Sequence, residues 1–279
     1  PSNRSMAELT RKELIRRLNR TEHTQLQQID LRELDLSNLD MPGVDLSEAR
    51  LEGADLTGAN LQEADLSGAN LARCVLFKTD LRRASLRSAH IPEANLTETI
   101  LSGADCSEAI MTSSLFIHTD ADRIRLSDAD LTGVQVFGVQ FEDARLDRTE
   151  MPGSTLHSVS FKDCVMPQVN LAGSMMFQAE IERCDLRNAN LALVNLAASR
   201  LLDVQLQEGN LTETMLTKAS LERVDLSGAR LFRTTLTEAD LESVTLEDAH
   251  LEELRGLDTA HMDRSTRKEF NQRGSRVET

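Results

Sequence analysis

Ala54-Asp55-Leu56-Thr57-Gly58 runs straight into Ala59-Asn60-Leu61-Gln62-Glu63 and then Ala64-Asp65-Leu66-Ser67-Gly68, one five-residue pattern repeated without a gap. Followed outward, the Leu register holds from Leu31 to Leu251. It spans 45 consecutive positions, 32 of them Leu and the rest Met, Phe, Ile, Val, Cys and a single Ala, Ala121. A period of five suits neither regular element. In an α-helix each step would carry the apolar residue about 140° around the axis, and in a strand successive members would face opposite sides. The chain must therefore bend once per repeat, so that each central residue points at a common axis while the backbone winds around it, as in a solenoid.

The other four positions agree. The residue two before the centre is small in nearly every unit (Ala49, Ala54, Ala59, Ala64, Ala69, later Thr79, Val134, Ser154 and Cys164), as a narrow tube demands. The residue just before the centre is often Asp or Asn, which suits a side chain that hydrogen-bonds nearby backbone. Pro42, Pro92, Pro152 and Pro167 follow their centres directly, and ten of the thirteen glycines, Gly43, Gly53, Gly58 and Gly68 among them, sit one place further on. That order places Pro first and Gly second in a β-turn, where φ near −65° and a positive φ are required.

Runs such as Ala54–Gly58 and Ala59–Glu63 resemble pentapeptide-repeat proteins, whose consensus is A(D/N)LXX, and the resemblance covers about four fifths of the chain. It implies an all-β solenoid, a right-handed quadrilateral β-helix with four repeats and twenty residues per coil. About eleven coils, at roughly 4.8 Å each, make a rod on the order of 50 Å long. Three segments are expected: residues 1–29 as an N-terminal capping helix and lead-in, 30–255 as the β-helix, and 256–279 as a C-terminal capping helix with a disordered tail. Thr10-Arg11-Lys12-Glu13 reads as a capping box. It opens a short helix with Leu14, Ile15 and Leu18 on one side and Arg16, Arg17 and Arg20 on the other. Leu26 and Ile29 then lead into a first coil in which Ile29, Leu34 and Leu39 replace the usual Ala. A second helix is expected over 259–273, docked by Met262 and Phe270 and stopped at Gly274.

Composition narrows the function. Trp and Tyr are absent and Phe numbers eight, as a thin filled tube requires. The net charge is −15, and residues 30–255 carry 39 acidic against 20 basic side chains. A nucleic-acid binder needs the opposite sign on its main surface, so direct DNA or RNA binding is not expected. No apolar run reaches membrane-spanning length and no signal peptide opens the chain. Pro1 stands where an initiator Met would, which points to a piece of a longer chain, made in the cytoplasm and open to export by a signal-peptide-independent route. No GxGxxG, P-loop, HExxH, GxSxG or CxxC occurs. His23, His90, His118, His157, His250 and His261 are dispersed without metal-ligand spacing. Cys74, Cys106, Cys164 and Cys184 all fall on inward positions. Cys164 and Cys184, twenty apart, are close enough for a disulfide, but core thiols explain their slots better. The expectation is a protein that is no enzyme and holds no cofactor or metal.

The outward positions carry the functional signal. Folded with a period of twenty, the sequence aligns Phe77, Ile117, Phe137 and Phe177 directly after their centres, and Val75, Leu115, Met175 and Met215 directly before centres of the same side. His157 joins the first column. A contiguous apolar stripe of this kind marks a protein interface. Its occupant could be a folded-back terminal segment, a second copy of the chain, or another protein. Other outward apolar residues (Ile100, Ile110, Val165, Leu202, Phe232) scatter over the remaining sides. The repeat is weakest over Ser114–Arg125, where a bulge, a loop or a coil specialised for contact is expected.

These features read as a rigid protein-interaction scaffold. The basic helix opened by Leu9-Thr10-Arg11-Lys12-Glu13-Leu14 ahead of a repeat rod is similar to the repeat segment of some bacterial type VI secretion accessory proteins. That likeness implies an adaptor or effector whose partner is a secretion component, an effector or a host protein. The alternative is an acidic mimic of DNA that binds gyrase or topoisomerase, as some family members do. Those relatives are smaller dimers rich in Phe centres, whereas this chain has Leu centres and a polar C-terminus.

Overall fold

The computed structural model describes residues 10–18 and 26–273. From Asp30↔Arg50 to Thr235↔Arg255, bridges join each residue to the one twenty positions on, always in parallel. Each pentapeptide is thus one side of a four-sided coil. The bonds that stack the coils alternate in direction: Leu56 N–H donates to the Val75 carbonyl at 2.8 Å and Val75 N–H to the Ala54 carbonyl at 3.1 Å. The centres and the small residues two before them line a single continuous core. Each fully buried Leu contributes about 1.5–3 kcal/mol, so the column of centres is the main source of stability.

Polar residues in the small slots are satisfied from within. Thr79 Oγ1 donates to the Leu56 carbonyl at 2.8 Å, Thr99 Oγ1 to Leu76 at 2.6 Å and Ser154 Oγ to Leu131 at 3.1 Å. These bonds offset the cost of burying a hydroxyl. The Asp and Asn residues before the centres fasten the next turn, with Oδ1 of Asp45, Asp55 and Asp65 accepting from the N–H groups of Ser47, Thr57 and Ser67 at 2.9–3.0 Å. At the corners φ is positive, +64° at Gly58 and +63° at Gly153, but also +58° at Glu63 and +61° at Leu193. Left-handed backbone is costly for the residues with a Cβ. The stacked coils hold them there.

Short strands, of three residues except for the two of β12, appear from residue 115 onward, where aromatic and β-branched centres such as Phe116, Val136, Phe161 and Ile181 favour extended backbone. They are β1 Leu115–Ile117, β2 Gln135–Phe137, β3 Gln140–Glu142, β4 Thr155–His157, β5 Ser160–Lys162, β6 Glu180–Glu182, β7 Arg200–Leu202, β8 Ser220–Glu222, β9 Arg230–Phe232, β10 Asp240–Glu242, β11 His250–Glu252 and β12 His261–Met262. One side carries the ladder β1-β2-β4, the next carries β3-β5-β6-β7-β8-β10-β12, and a third carries β9-β11.

The stretch Ser114–Arg125 is neither bulge nor loop. Leu115↔Gln135, Asp120↔Gln140 and Arg125↔Arg145 keep the register, and Ala121 is buried. One coil on in Ala121's column stands Phe141, whose ring stacks on Phe161 at 4.9 Å. A small residue beside that pair of rings keeps the core volume level.

Helices close both ends. α1, Arg11–Leu18, has the expected capping box: Thr10 N–H donates to Glu13 Oε2 at 3.0 Å, and Glu13 N–H to Thr10 Oγ1 at 3.3 Å. Leu14 is fully buried and Leu18 packs on the core, but Ile15 faces solvent, because it lies about 100° around the helix from Leu14. Arg11 Nη atoms donate to the carbonyls of Asp35 and Ser37, both at 2.7 Å. Arg20 lies outside the described residues. The C-terminal helix is shorter than expected. α2 runs from Arg264 to Gln272, because His261–Met262 first pair with β10 and Asp263 then caps the helix by accepting from Thr266 N–H at 2.7 Å. Phe270 is buried and Met262 packs on the core. Gly274 and the tail expected to be disordered lie outside the described residues.

Candidate protein-binding face

The structure brings the two apolar columns together. Val75, Leu115, Met175 and Met215 share one bridge column, which continues through Asn95, Gln135, Thr155 and Asn195. Two residues along each strand, Ile117↔Phe137↔His157 stack in register through β1, β2 and β4, and the rings of Phe137 and His157 lie 6.2 Å apart. Phe77 and Phe177 hold the same place in their coils, three before Phe137 and two after it, there as the first residue of a turn. Alternation along the strand points both columns outward while the centres point in. Met175 is 56% exposed, Met215 44%, Phe177 40% and Val75 37%; Phe77, Leu115, Ile117 and Phe137 are half-buried. His157 is exposed.

Two features of this face escape a search for outward apolar residues. Leu193, 60% exposed, occupies a positive-φ corner beside Met175, a position where this chain places Gly or a polar residue at nearly every other turn. The second is the absence of charge. From Ser113–His118 through Gly133–Gly138, Gly153–Ser158 and Gly173–Gln178 to Leu193–Ala198, five consecutive coils present no Asp, Glu, Lys or Arg on this side. Corner glycines Gly133, Gly153 and Gly173 leave its border low. Beyond both ends of this neutral strip, charge returns at one corner as two ion pairs, Lys78–Glu98 and Lys218–Glu238, each 3.4 Å.

The scattered apolar residues form no second patch. Leu202 is buried, held between Glu182 and Glu222 in the neighbouring strands. Phe232 lies under the guanidinium of Arg233 at 4.8 Å. With Arg230, His250 and Glu252 it lines a shallow hollow. Elsewhere charge dominates. Arg148, Arg183 and Arg223 each make two hydrogen bonds to the aspartate one coil away and hold Asp128, Asp163 and Asp203 below the usual carboxylate range. Beside the neutral strip, Asp122 shifts upward instead, through partial burial and the nearby carboxylates of Asp120 and Glu142.

No reactive group converges on this face. The four cysteines are free and buried, Cys74 is pushed up to about 12 by burial, and Cys106 is raised for the same reason. Cys164 Sγ donates to the Phe141 carbonyl at 3.2 Å and Cys184 Sγ to Phe161 at 3.4 Å. Among the described residues no cluster of His, Cys, Asp or Glu could hold a metal ion, and no helix is long and apolar enough to cross a membrane.

A family model described as pentapeptide repeats (8 copies) matches residues 22–58, 54–91, 79–116, 93–128 and 154–192, and one described as a pentapeptide repeat region matches 179–255. Among solved structures, the chain is similar to HetL, a pentapeptide repeat protein involved in heterocyst differentiation regulation from the cyanobacterium Nostoc sp. strain PCC 7120. The two are 25% identical over 91% of this chain and 97% of HetL, with a TM-score of 0.39. Rfr23 from the cyanobacterium Cyanothece 51142 is 27% identical over 36% of this chain and 64% of its own, with a TM-score of 0.30. Full-length QnrB1, a plasmid-mediated fluoroquinolone resistance protein, is 15% identical over 85% and 98%, with a TM-score of 0.24. No curated protein sequence matches.

Proposed function

Since the chain belongs to the pentapeptide-repeat family, we propose that it is a rigid, non-catalytic scaffold that binds protein through the face bearing Val75, Phe77, Leu115, Ile117, Phe137, His157, Met175, Phe177 and Met215. The observation that carries this reading is the neutral strip. In a chain with 28% charged residues and a net charge of −15, five consecutive coils without an ionised side chain on one side depart from the rest of the surface. Charge depletion with Phe and Met enrichment is the composition of interface cores. A filled tube offers no substrate pocket, so the surface, rather than a cavity, is where function resides.

The basic helix α1 at the head of the rod supports a secretion-associated adaptor as the setting, with an effector or secretion component as partner. The test is a pull-down from the native host with wild-type chain and the Phe137→Ser, Phe177→Ser double variant. A partner retained by the first and lost by the second supports the reading; a partner retained by both overturns the assignment of this face. The acidity of the rod favours one alternative, a mimic of DNA directed at gyrase. Inhibition of gyrase supercoiling by the purified chain, undiminished in the double variant, would replace the scaffold reading.

A further inference from the structure

We propose that the neutral strip is occupied by a second copy of this chain, packed antiparallel about a two-fold axis that passes through the coil of Thr155 and His157. The inference rests on the reading of this face as a protein interface and names its occupant.

Three observations lead there. First, spacing favours another solenoid. The strip presents a row of side chains every ~4.8 Å, as any stacked coil does, whereas a helix repeats every 5.4 Å and would drift by about 3 Å over five coils. The described terminal helices do not cover the face: α1 contacts Asp35 and Ser37 in the first coil, and α2 contacts Ser243, Val244 and Asp248 in the last.

Second, the face is self-complementary under that rotation. An antiparallel copy sets each column against itself with its order reversed. Phe137 then meets the partner's Phe177, Ile117 meets the partner's Ala197, Leu115 meets the partner's Asn195, and His157 lies against the partner's His157. The rings of Phe137, His157 and Phe177 and their mates form one aromatic cluster, with Ala197 opposite Ile117 and the amides of Asn195 and Gln135 opposite Leu115 and Met175.

Third, the charges beyond the strip fit the same axis. At the corner next to the aromatic column the order is Lys78, Glu98, five uncharged residues, Lys218, Glu238. Reversal sets Lys78 against the partner's Glu238 and Glu98 against the partner's Lys218. Just past that corner, Asp120 meets the partner's Arg200. The far corner is less favourable, with Glu93 facing the partner's Glu213 and Arg73 the partner's Arg233, each next to a charge of opposite sign. A parallel copy would lose the favourable corner, setting Lys78 against the partner's Arg73, Glu98 against the partner's Glu93, and Phe137 against the partner's Gln135. The contact has workable size. Eight coils from Val75 to Met215 cover about 38 Å by roughly 13 Å. That is about 500 Å² in flat projection, which side-chain relief raises toward the ~800 Å² per partner of a standard interface.

Sedimentation velocity over a concentration series tests this with the purified chain alone. The expected result is a reversible dimer that Phe177→Asp, and separately the more exposed Met175→Glu, convert to monomer while leaving the melting temperature unchanged at protein concentrations too low for the wild type to dimerise. Glu98→Lys and Lys218→Glu should each weaken the dimer about a hundredfold, because the two-fold repeats each lost charge pair and each loss costs about tenfold, and the double variant should recover it. Recovery is specific, because the ion pairs within one chain, Lys78–Glu98 and Lys218–Glu238, stay broken in the double variant. A wild-type chain that is monomeric at the highest soluble concentration overturns the proposal. So does a dimer indifferent to Phe177→Asp and Met175→Glu, or one that the double charge exchange fails to restore. A monomeric rod that still loses a foreign partner on Phe137→Ser with Phe177→Ser would sink self-pairing and leave the scaffold reading intact.

Discussion

Two opposite sides of the rod share one core and differ in everything they show to solvent. The side centred on Phe116, Val136, Leu156, Met176 and Leu196 carries no charge across five coils. The side centred on Leu126, Leu146, Met166, Leu186 and Leu206 carries Arg125, Asp128, Arg145, Asp147, Arg148, Asp185 and Arg187, tied by contacts such as Arg148–Asp128 at 2.6 Å and Arg187–Asp185 at 2.7 Å. Their centres are equally buried and their coils stack at the same twenty-residue offset. The pentapeptide therefore divides its labour by position. Two inward residues in each five specify the fold, and the others are free to make one side a solvated ion-pair lattice and the other a contact surface.

A substitution in the shared core should erase the comparison altogether. Leu191→Asp buries a carboxylate in the dry column, and a loss of more than about 4 kcal/mol is expected, read as a collapsed thermal transition. An unchanged melting temperature would mean that the register is misassigned. Next in size, Phe270→Ala removes the ring that seats α2 on the last coil. A loss of about 3–5 kcal/mol is the usual consequence of such a truncation, and hydrogen exchange should localise the opening to the C-terminal coils while both faces upstream stay protected.

Smaller again is the helix cap. Asp263 is held at about 2, chiefly by the Thr266 N–H, with Ser243 N–H and Ser265 adding to it. A carboxylate lowered on folding stabilises above its unfolded pKa, roughly 3.9, and that contribution disappears as pH falls through the folded value. The C-terminal end should therefore loosen between about pH 4 and pH 2. Asp263→Ala should cost about 1 kcal/mol at neutral pH and remove that acid sensitivity. The smallest effect on stability sharpens the contrast most. Phe137→Ser with Phe177→Ser should leave the thermal transition within about 1 kcal/mol of wild type while abolishing association; if the chain unfolds instead, those rings belong to the core.

The division by position also explains what the sequence disclosed. Leu31 to Leu251 and the small residues beside them obey one steric rule, so solenoid, core and turns were legible from periodicity. The candidate columns were legible once the coil length of twenty was applied. Three features were not. Ala121 looked like a defect because its compensation, the Phe141–Phe161 stack, lies in later coils. Leu193 was overlooked because it stands in a corner slot normally governed by backbone conformation rather than by side-chain character. The start of α2 was misplaced because His261–Met262 are taken up by a ladder contact that no local propensity encodes.

That ladder contact has a further consequence. All pairings up to Arg255 span twenty residues, but Asp240↔His261 and Leu241↔Met262 span twenty-one. The extra residue enters near Gly256, whose backbone passes so close to Thr237 that a Cβ would lie 2.7 Å from its Cα and N atoms. The slip works as a frameshift does in a reading frame: Met262 still lies over inward Leu241 and His261 over outward Asp240, but the five-residue count that holds from Leu31 to Leu251 is displaced by one. Directly after it the chain turns into α2, which lies against Val244 and Asp248 and covers the edge that would otherwise template a further coil. One added residue thus lets the last strand keep its contacts while the chain leaves the coil for the helix that closes the rod.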